Sequence, residues 1–262
     1  MNTNLYNDLQ EAIEMLYSVF RTYPLRPHVE GCTHCVDPED HVRLQSKPLR
    51  QLSTDDLSKY SWKALTTWGD DRDFRHFLPR ILELVAIDNE WWATFNMEVV
   101  FSKLEIGKWT TWPEREQRAI NDYLNALYHY FLLKPLSPEP YVSETYTIDD
   151  LLCAIGQAAD DLQPFLTQLS AADTEASLYR IARFIDDELA YLINKHKLSN
   201  AFWDDRKSQM EQVINWIIDS NNERLINNAL MLYLAREENA KFENVGQYIE
   251  IIGQLRIAQS ST

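Results

Sequence analysis

The chain has 262 residues, and its 25 Lys and Arg against 40 Asp and Glu give a formal charge of −15 at neutral pH. A hydrophobic content of 45% excludes wholesale disorder, and the acidic excess, present in both halves, disfavours binding to nucleic acid or to an anionic membrane. Only six residues are glycine, so glycine-rich nucleotide loops and sheets with tight hairpins are not expected.

Helical patterns dominate the first half of the chain. Apolar residues recur every three or four positions between Leu5 and Arg21, which predicts a first amphipathic helix. A second helix is predicted to begin after the N-cap Ser53 and to end at Gly69. Pro79 is expected to kink the helix that follows, or to start a new one. Further helical patterns cover 89–104 and 113–131.

Two segments are predicted to be irregular. The first is a loop over 23–50, and the second is a proline-rich connection over 134–146 that holds three prolines. Tyr141 and Tyr146 of this connection can pack onto helices on either side of it. We therefore expect a single helical domain over 1–262.

The second half continues the helical pattern. Thr147 caps a predicted helix that reaches Ala159, and Thr174 begins a long helix that reaches Lys195. Other helices are predicted over 165–169, 200–219, 221–236 and 243–258. Because no stretch alternates like an exposed strand, we predict an all-α fold with less than about 5% strand. Nine to eleven antiparallel helices would form a compact or gently curved array, and a solenoid-like stack is one form of it.

Distinctive sequence stretches lie between residues 20 and 85. They read Gly31-Cys32-Thr33-His34-Cys35-Val36, Pro48-Leu49-Arg50-Gln51-Leu52-Ser53-Thr54-Asp55-Asp56-Leu57, Thr66-Thr67-Trp68-Gly69 and Phe74-Arg75-His76-Phe77-Leu78-Pro79-Arg80. Together they are similar to an uncharacterised bacterial protein family with no assigned activity. The resemblance implies a bacterial, cytoplasmic, helical protein and no catalytic residue. The stretch from Asp73 to Leu84 also resembles a helix of the HEAT/armadillo class, in which proline interrupts a helix.

The strongest candidate for chemistry is the segment 28–41, which holds half of the six histidines and two of the three cysteines. Two thiolates and two imidazoles can close a tetrahedral zinc site. The natural ligand set is Cys32, Cys35, His28 and His41, with His34 as a substitute. A Cys-x-x-Cys pair can instead be redox-active, or its thiols can stay reduced and pack as small apolar residues. All three interpretations stay open, and zinc is the cofactor that the segment suggests.

Other groups of chemical side chains favour structural roles. Six Asp-Asp pairs occur, and several of them stand where helices should begin, which is typical of caps rather than of a metal site. Asp73 and His76 could share a helical face as ligands. Six of the eight tryptophans fall between Trp62 and Trp112, where core packing is expected. Cys153 stands in an apolar run that predicts a core thiol.

These observations favour a non-enzymatic helical interaction protein of a bacterial cytoplasm, such as an adaptor, an immunity factor or a regulatory factor. Its expected partner is another protein, with a basic surface as one option, and neither nucleic acid nor a membrane is expected as a partner. A metal- or thiol-dependent enzyme that uses Cys32 and Cys35 is the alternative. An acidic mimic of nucleic acid is a further alternative. The sparse, odd set of three cysteines indicates a reducing compartment.

Overall fold

A computed structural model describes residues 3–87, 96–136, 146–236 and 240–259. Within these ranges the chain forms twelve α-helices and no β-strand, which confirms the all-α prediction and lies close to the expected helix number. None of these helices is long and apolar enough to cross a membrane, as far as the chain is described. The helices are α1 (Thr3–Phe20), α2 (Pro38–Leu44), α3 (Thr54–Lys63), α4 (Asp71–Ile87), α5 (Met97–Ile106), α6 (Glu114–Leu133), α7 (Ile148–Ala158), α8 (Gln163–Ser170), α9 (Glu175–Lys195), α10 (Lys207–Ile218), α11 (Glu223–Leu234) and α12 (Val245–Gln259).

The predicted caps begin three of these helices. The side chains of Ser53, Thr147 and Thr174 each accept a hydrogen bond from the backbone N–H three residues later. At the first two caps, the carboxylates of Asp56 and Asp150 accept a hydrogen bond from the N–H of the cap residue, which completes a capping box. Two of the Asp-Asp pairs thus serve as helix starts, in line with the sequence.

The structure moves one predicted boundary and excludes one of the two alternatives at Pro79. Helix α3 ends at Lys63 rather than at Gly69, because the carbonyl oxygen of Lys63 accepts N–H bonds from three following residues and Leu65 adopts a left-handed φ of 63°. Helix α4 continues through Pro79, so that no new helix begins there. Buried side chains on both sides of Pro79, including Leu78 and Ile81, stabilise α4 by more than the missing backbone hydrogen bond costs.

The first of the two segments expected to be irregular contains a short helix. Within 23–50, the short helix α2 forms because Asp37 caps it, Pro38 occupies its first turn and the carboxylate of Asp40 accepts from the Asp37 N–H. In the second segment, residues 134–136 and Tyr146 are not helical, while 137–145 lie outside the described residues.

The chain divides into two compact units, Asn2–Leu127 and Tyr128–Thr262. In the first unit, α1 packs on α4, and α3 contacts α2, α4 and α5. In the second, α9 packs on α11, α12 contacts α9, α10 and α11, and α10 also contacts α7 and α8. Each unit has its own buried apolar residues, and a single domain over 1–262 stays a prediction.

Asp186 connects several elements of the second unit. This buried α9 residue accepts hydrogen bonds from the hydroxyl of Tyr233 at 3.2 Å, from the backbone N–H of Lys241 at 2.8 Å and from the hydroxyl of Tyr248. Its carboxylate therefore joins α9 to α11, to the segment before α12 and to α12 itself. The pair Asp186-Asp187 thus has a structural role on its buried side.

Most of the described tryptophans in the first unit are in the core, as the sequence predicts. Trp68, Trp109 and Trp112 are buried, whereas Trp62 is 50% exposed. The adjacent pair Trp91-Trp92 lies outside the described residues. In the second unit, Cys153 is fully buried, as expected of a core thiol.

Candidate functional site

Cys32 and Cys35 occupy a tight turn in the loop before α2. The N–H of Cys35 donates to the carbonyl oxygen of Cys32 at 2.8 Å, and the N–H of Val36 donates to the same oxygen at 2.9 Å. The N–H of Cys32 donates to the carbonyl oxygen of Thr67 at 2.8 Å. Both cysteines therefore lie on one turn that is attached to the segment after α3, and we call residues 32–36 the cysteine turn.

Gly31 allows the cysteine turn to approach Trp68 closely. It forms an isolated antiparallel bridge with Trp68, and the carbonyl oxygen of Glu30 accepts the N–H of Gly69 at 2.7 Å. A Cβ atom at Gly31 would lie 3.2 Å from Cδ1 of Trp68 and 3.2 Å from Cγ2 of Val36. The buried indole of Trp68 is thus the base on which the cysteine turn rests.

The two thiols of the turn differ in exposure. Cys32 is exposed and Cys35 is half-buried. A hydrogen bond from the N–H of His34 lowers the pKa of Cys32, helped by a hydrogen bond to the Cys35 side chain and by the charge of Lys63. The exposed sulfur is therefore the one whose thiolate the turn stabilises.

Two of the three histidines of the segment, His28 and His41, stack on each other. The rings of His28 and His41 stack with centroids 5.4 Å apart, and the ring of His41 meets the indole of Trp68 edge-on at 5.3 Å. His34 is exposed. Across the described residues, which include all of 28–41, no group of three or more His, Cys, Asp or Glu is placed to hold a metal ion. Zinc binding by Cys32, Cys35, His28 and His41 stays a prediction, and it requires these side chains to rearrange.

Ion pairs anchor the loop at both ends of the cysteine turn. Before the turn, Arg26 pairs with the buried carboxylate of Asp73, with Nε 2.8 Å from Oδ1, and with Asp70 at 2.9 Å. After the turn, Lys59 of α3 pairs with Asp37 at 3.2 Å and with Asp40. The loop is therefore held against α3 and α4 although it contains little regular structure.

Asp73 and His76, considered as a ligand pair in the sequence, have other partners. Asp73 is engaged by Arg26, and Nδ1 of His76 lies 2.8 Å from the carbonyl oxygen of Tyr23. Because a carbonyl oxygen only accepts, Nδ1 of His76 carries the proton in this contact. Partial burial lowers the pKa of His76. Both side chains therefore hold the beginning of the loop onto α4.

Three buried polar atoms near the cysteine turn lack a hydrogen-bond partner among the described residues. They are Nε1 of Trp68, the hydroxyl of Tyr60 and Oγ1 of Thr67. The rings of Tyr60 and Trp68 meet edge-on at 5.3 Å, and burial raises the pKa of Tyr60, so its hydroxyl stays protonated. Such atoms are uncommon in folded proteins. Their burial depends on contacts between distant parts of the chain, so no local sequence pattern predicts it.

A second candidate site lies in the second unit, where α9, α10 and α12 meet. A cavity of about 430 Å³ opens there, and we call it the α12 groove. Its apolar lining consists of Leu192, Ile214, Ile218, Leu255 and Ala258. Three exposed polar residues, His196, Glu211 and Gln259, complete the lining. The groove is therefore largely apolar and carries one carboxylate.

Helix α12 presents more apolar surface than its unit covers. Of its fifteen residues, only Tyr248 and Ile252 are buried. Ile251 and Leu255 remain half-exposed, and Ile257 is 70% exposed. Apolar side chains that form a contiguous exposed patch on a helix are normally covered by protein or lipid. The sequence indicates this exposure, because the adjacent residues Ile251 and Ile252 cannot both lie on one narrow face of a helix.

Comparisons with known proteins place the chain in no group. No protein-family model, no curated protein and no solved structure matches it at a significant level. The resemblances to an uncharacterised bacterial family and to HEAT/armadillo helices therefore stay hypotheses. The functional assignment depends on the cysteine turn and the α12 groove.

Proposed function

We propose that the chain is a non-enzymatic helical interaction protein of a bacterial cytoplasm, and that a partner protein docks on α12 and the α12 groove. One observation carries the proposal: of the apolar residues of α12, only Tyr248 and Ile252 are buried, and Ile257 is 70% exposed. Exposed apolar patches rimmed by polar residues are typical of protein interfaces. An adaptor, an immunity factor or a regulatory factor would need such a surface.

The chemistry of the groove indicates the kind of partner. A cavity of about 430 Å³ can take one or two large apolar side chains, and buried anchors of that kind carry most of the binding energy at interfaces. Glu211 adds a negative charge to the lining, and residues 141–262 contain 19 acidic against 10 basic residues. The partner segment is therefore an amphipathic helix with an apolar anchor beside Lys or Arg.

Site-specific photo-crosslinking tests where the partner binds. A photoreactive amino acid replaces Ile257 in one version of the full chain and Val42 of the first unit in the other. The two positions are matched, because both side chains are 70% exposed. We expect a specific adduct in native cells from position 257 and none from position 42. Adducts of equal yield from both positions would contradict the proposed docking surface.

Binding by purified proteins then tests the groove itself. The captured partner is titrated against the full chain and two variants of α12, Ala258→Glu in the groove and Gln254→Glu outside its lining. Both positions are exposed, so both variants should fold. Ala258→Glu should weaken binding about tenfold or more, because it places a charge against the apolar anchor, and Gln254→Glu should bind like the unchanged chain. Equal affinities for both variants would count against the groove.

A further inference from the structure

The cysteine turn brings two thiols together in a geometry that a disulfide can close. The hydrogen bond from the Cys35 N–H to the Cys32 carbonyl closes a four-residue turn, and such turns hold their end Cα atoms within about 7 Å. Disulfides span Cα separations of about 4.4–6.8 Å. An S–S bond between Cys32 and Cys35 therefore needs rotation of the side chains and little movement of the backbone.

The two sulfurs are not equivalent toward a reagent in solution. Cys32 is exposed, while Cys35 is half-buried beside it, and Cys153 of the other unit is fully buried. The turn is held in place by the hydrogen bond from Cys32 N–H to Thr67 and by the close contact between Gly31 and Trp68. The fold therefore exposes the Cys32 thiol to solvent and keeps the Cys35 thiol half-buried.

We propose that Cys32 and Cys35 form a reversible dithiol–disulfide site that reacts with low-molecular-weight disulfides, with Cys32 attacking and Cys35 resolving. The Cys32 thiolate attacks one sulfur of the small disulfide, a new S–S bond forms and one small thiolate leaves. The Cys35 thiol then gives up its proton and attacks the Cys32 sulfur, which releases the second small thiolate. The protein dithiol loses two electrons and two protons, and the small disulfide becomes two thiols. This site lies in the first unit and does not depend on docking at α12.

Mass spectrometry of the full-length protein tests the reaction. The reduced protein is incubated with glutathione disulfide, quenched in acid, alkylated in denaturant and digested. We expect the single peptide that contains both Cys32 and Cys35 to be two hydrogens lighter and to carry no alkyl group, while Cys153 remains available for alkylation. Disulfides between chains, or no disulfide between Cys32 and Cys35, would overturn the proposal.

Two single variants test the order of attack. In Cys35→Ser, a mixed disulfide with glutathione should accumulate at Cys32, because no second thiol resolves it. In Cys32→Ser, the mixed disulfide at Cys35 should form about tenfold more slowly, because that sulfur is less accessible. In denaturant, the rates of mixed-disulfide formation at Cys32 and at Cys35 should become similar. Equal rates in the folded variants, or an unchanged difference in denaturant, would show that the fold does not set the order.

A metal measurement separates this site from the zinc alternative. The protein is purified without an affinity tag and without added zinc, and its zinc content is determined before oxidation. We expect less than stoichiometric zinc and the same oxidation rate with and without a chelator. One zinc ion per chain, with oxidation only after chelation, would overturn the proposal and make the cysteine turn a metal site.

Discussion

At the scale of single residues, burial decides which groups can respond to pH. Nδ1–H of His76 donates a hydrogen bond to the carbonyl oxygen of Tyr23, and partial burial lowers the pKa of His76 although Asp73 is nearby. The unfolded chain therefore takes up a proton on this residue at a higher pH than the folded chain does. Its contribution to stability is present above the ordinary histidine pKa of about 6.5 and is lost as the pH falls through the lower folded value.

We predict that His76→Gln reduces the loss of stability between about pH 7 and pH 5, because the variant has no proton to take up there. Urea unfolding at a series of pH values measures the free energy of unfolding. His34→Gln is the matched control, since it removes an exposed histidine in the same unit. If the free energy of unfolding changed with pH identically in His76→Gln and in the unchanged chain, His76 would not cause the loss of stability.

Two glycine-to-alanine substitutions provide a second prediction at this scale. Gly31→Ala should destabilise the protein by about 1 kcal/mol, because the new Cβ would crowd Trp68 and Val36 at 3.2 Å. Gly253→Ala should stabilise it by about 0.5–1 kcal/mol, because Gly253 is inside α12 and its Cβ would contact nothing within 4 Å. Denaturant unfolding of both variants checks the opposite signs. If both variants changed the free energy of unfolding equally, the residues around Gly31 would have moved to accommodate the new Cβ.

The local sequence located the candidate residues but not their partners. The density of Cys and His in 28–41 was visible directly, since those residues are close in sequence. The contacts of His41 and Gly31 with Trp68 were not, because they depend on how the chain returns after α3. That return gives His41 a ring contact with Trp68, and no group of three or more metal-binding side chains forms among the described residues. No rule of ligand spacing contains this information.

At the scale of helices, α5 contains a charge in an unfavourable place. Lys103 is buried, and burial lowers its pKa. Because the unfolded chain binds this proton more tightly, the free energy of unfolding should rise as the pH increases through the folded pKa of Lys103 toward about 10.4. Burial of the ammonium group thus makes α5 less stable at neutral pH than an apolar side chain would.

We predict that Lys103→Met raises stability at neutral pH by about 1 kcal/mol, since the apolar stem is kept and the charge removed. The gain should shrink near pH 10, where the lysine of the unchanged chain loses its proton more readily. Chemical denaturation at both pH values checks this, with the exposed Lys207→Met as control. A loss of stability in Lys103→Met would show that the ammonium group is well solvated.

Helix starts were predicted better than helix ends. Ser53, Thr147 and Thr174 act within four residues, so their effect is readable in the sequence. The end of α3 depends on three N–H groups that converge on Lys63, and continuation through Pro79 depends on burial of the surrounding residues. Such effects come from packing, which local patterns do not specify.

At the scale of the whole molecule, the excess of fifteen negative charges opposes compaction. We predict that the melting temperature rises by a few degrees between low salt and about 0.3 M NaCl, because salt screens this repulsion. Calorimetry at several salt concentrations measures it, and KCl at the same ionic strength should give the same rise. A fall in the melting temperature would mean that the surface ion pairs contribute more than the net repulsion.

The fold class was predictable because glycine scarcity, caps and helical periodicity all favour helices, and the structure agrees within the described residues. The α12 groove was not, since it depends on three helices that meet through residues far apart in sequence. Composition reports the average chemistry of a surface. It does not report where apolar side chains remain uncovered.

The position of Asp186 matters while the chain is being made. On the ribosome it emerges well before its partners, because Lys241 and Tyr248 follow it by 55 and 62 positions. Until they emerge, water solvates the carboxylate, since burying a charge without donors costs several kcal/mol. The core around α9 is therefore completed only after α12 has been synthesised. Because of Asp186, the second unit completes its packing only late in the synthesis of the chain.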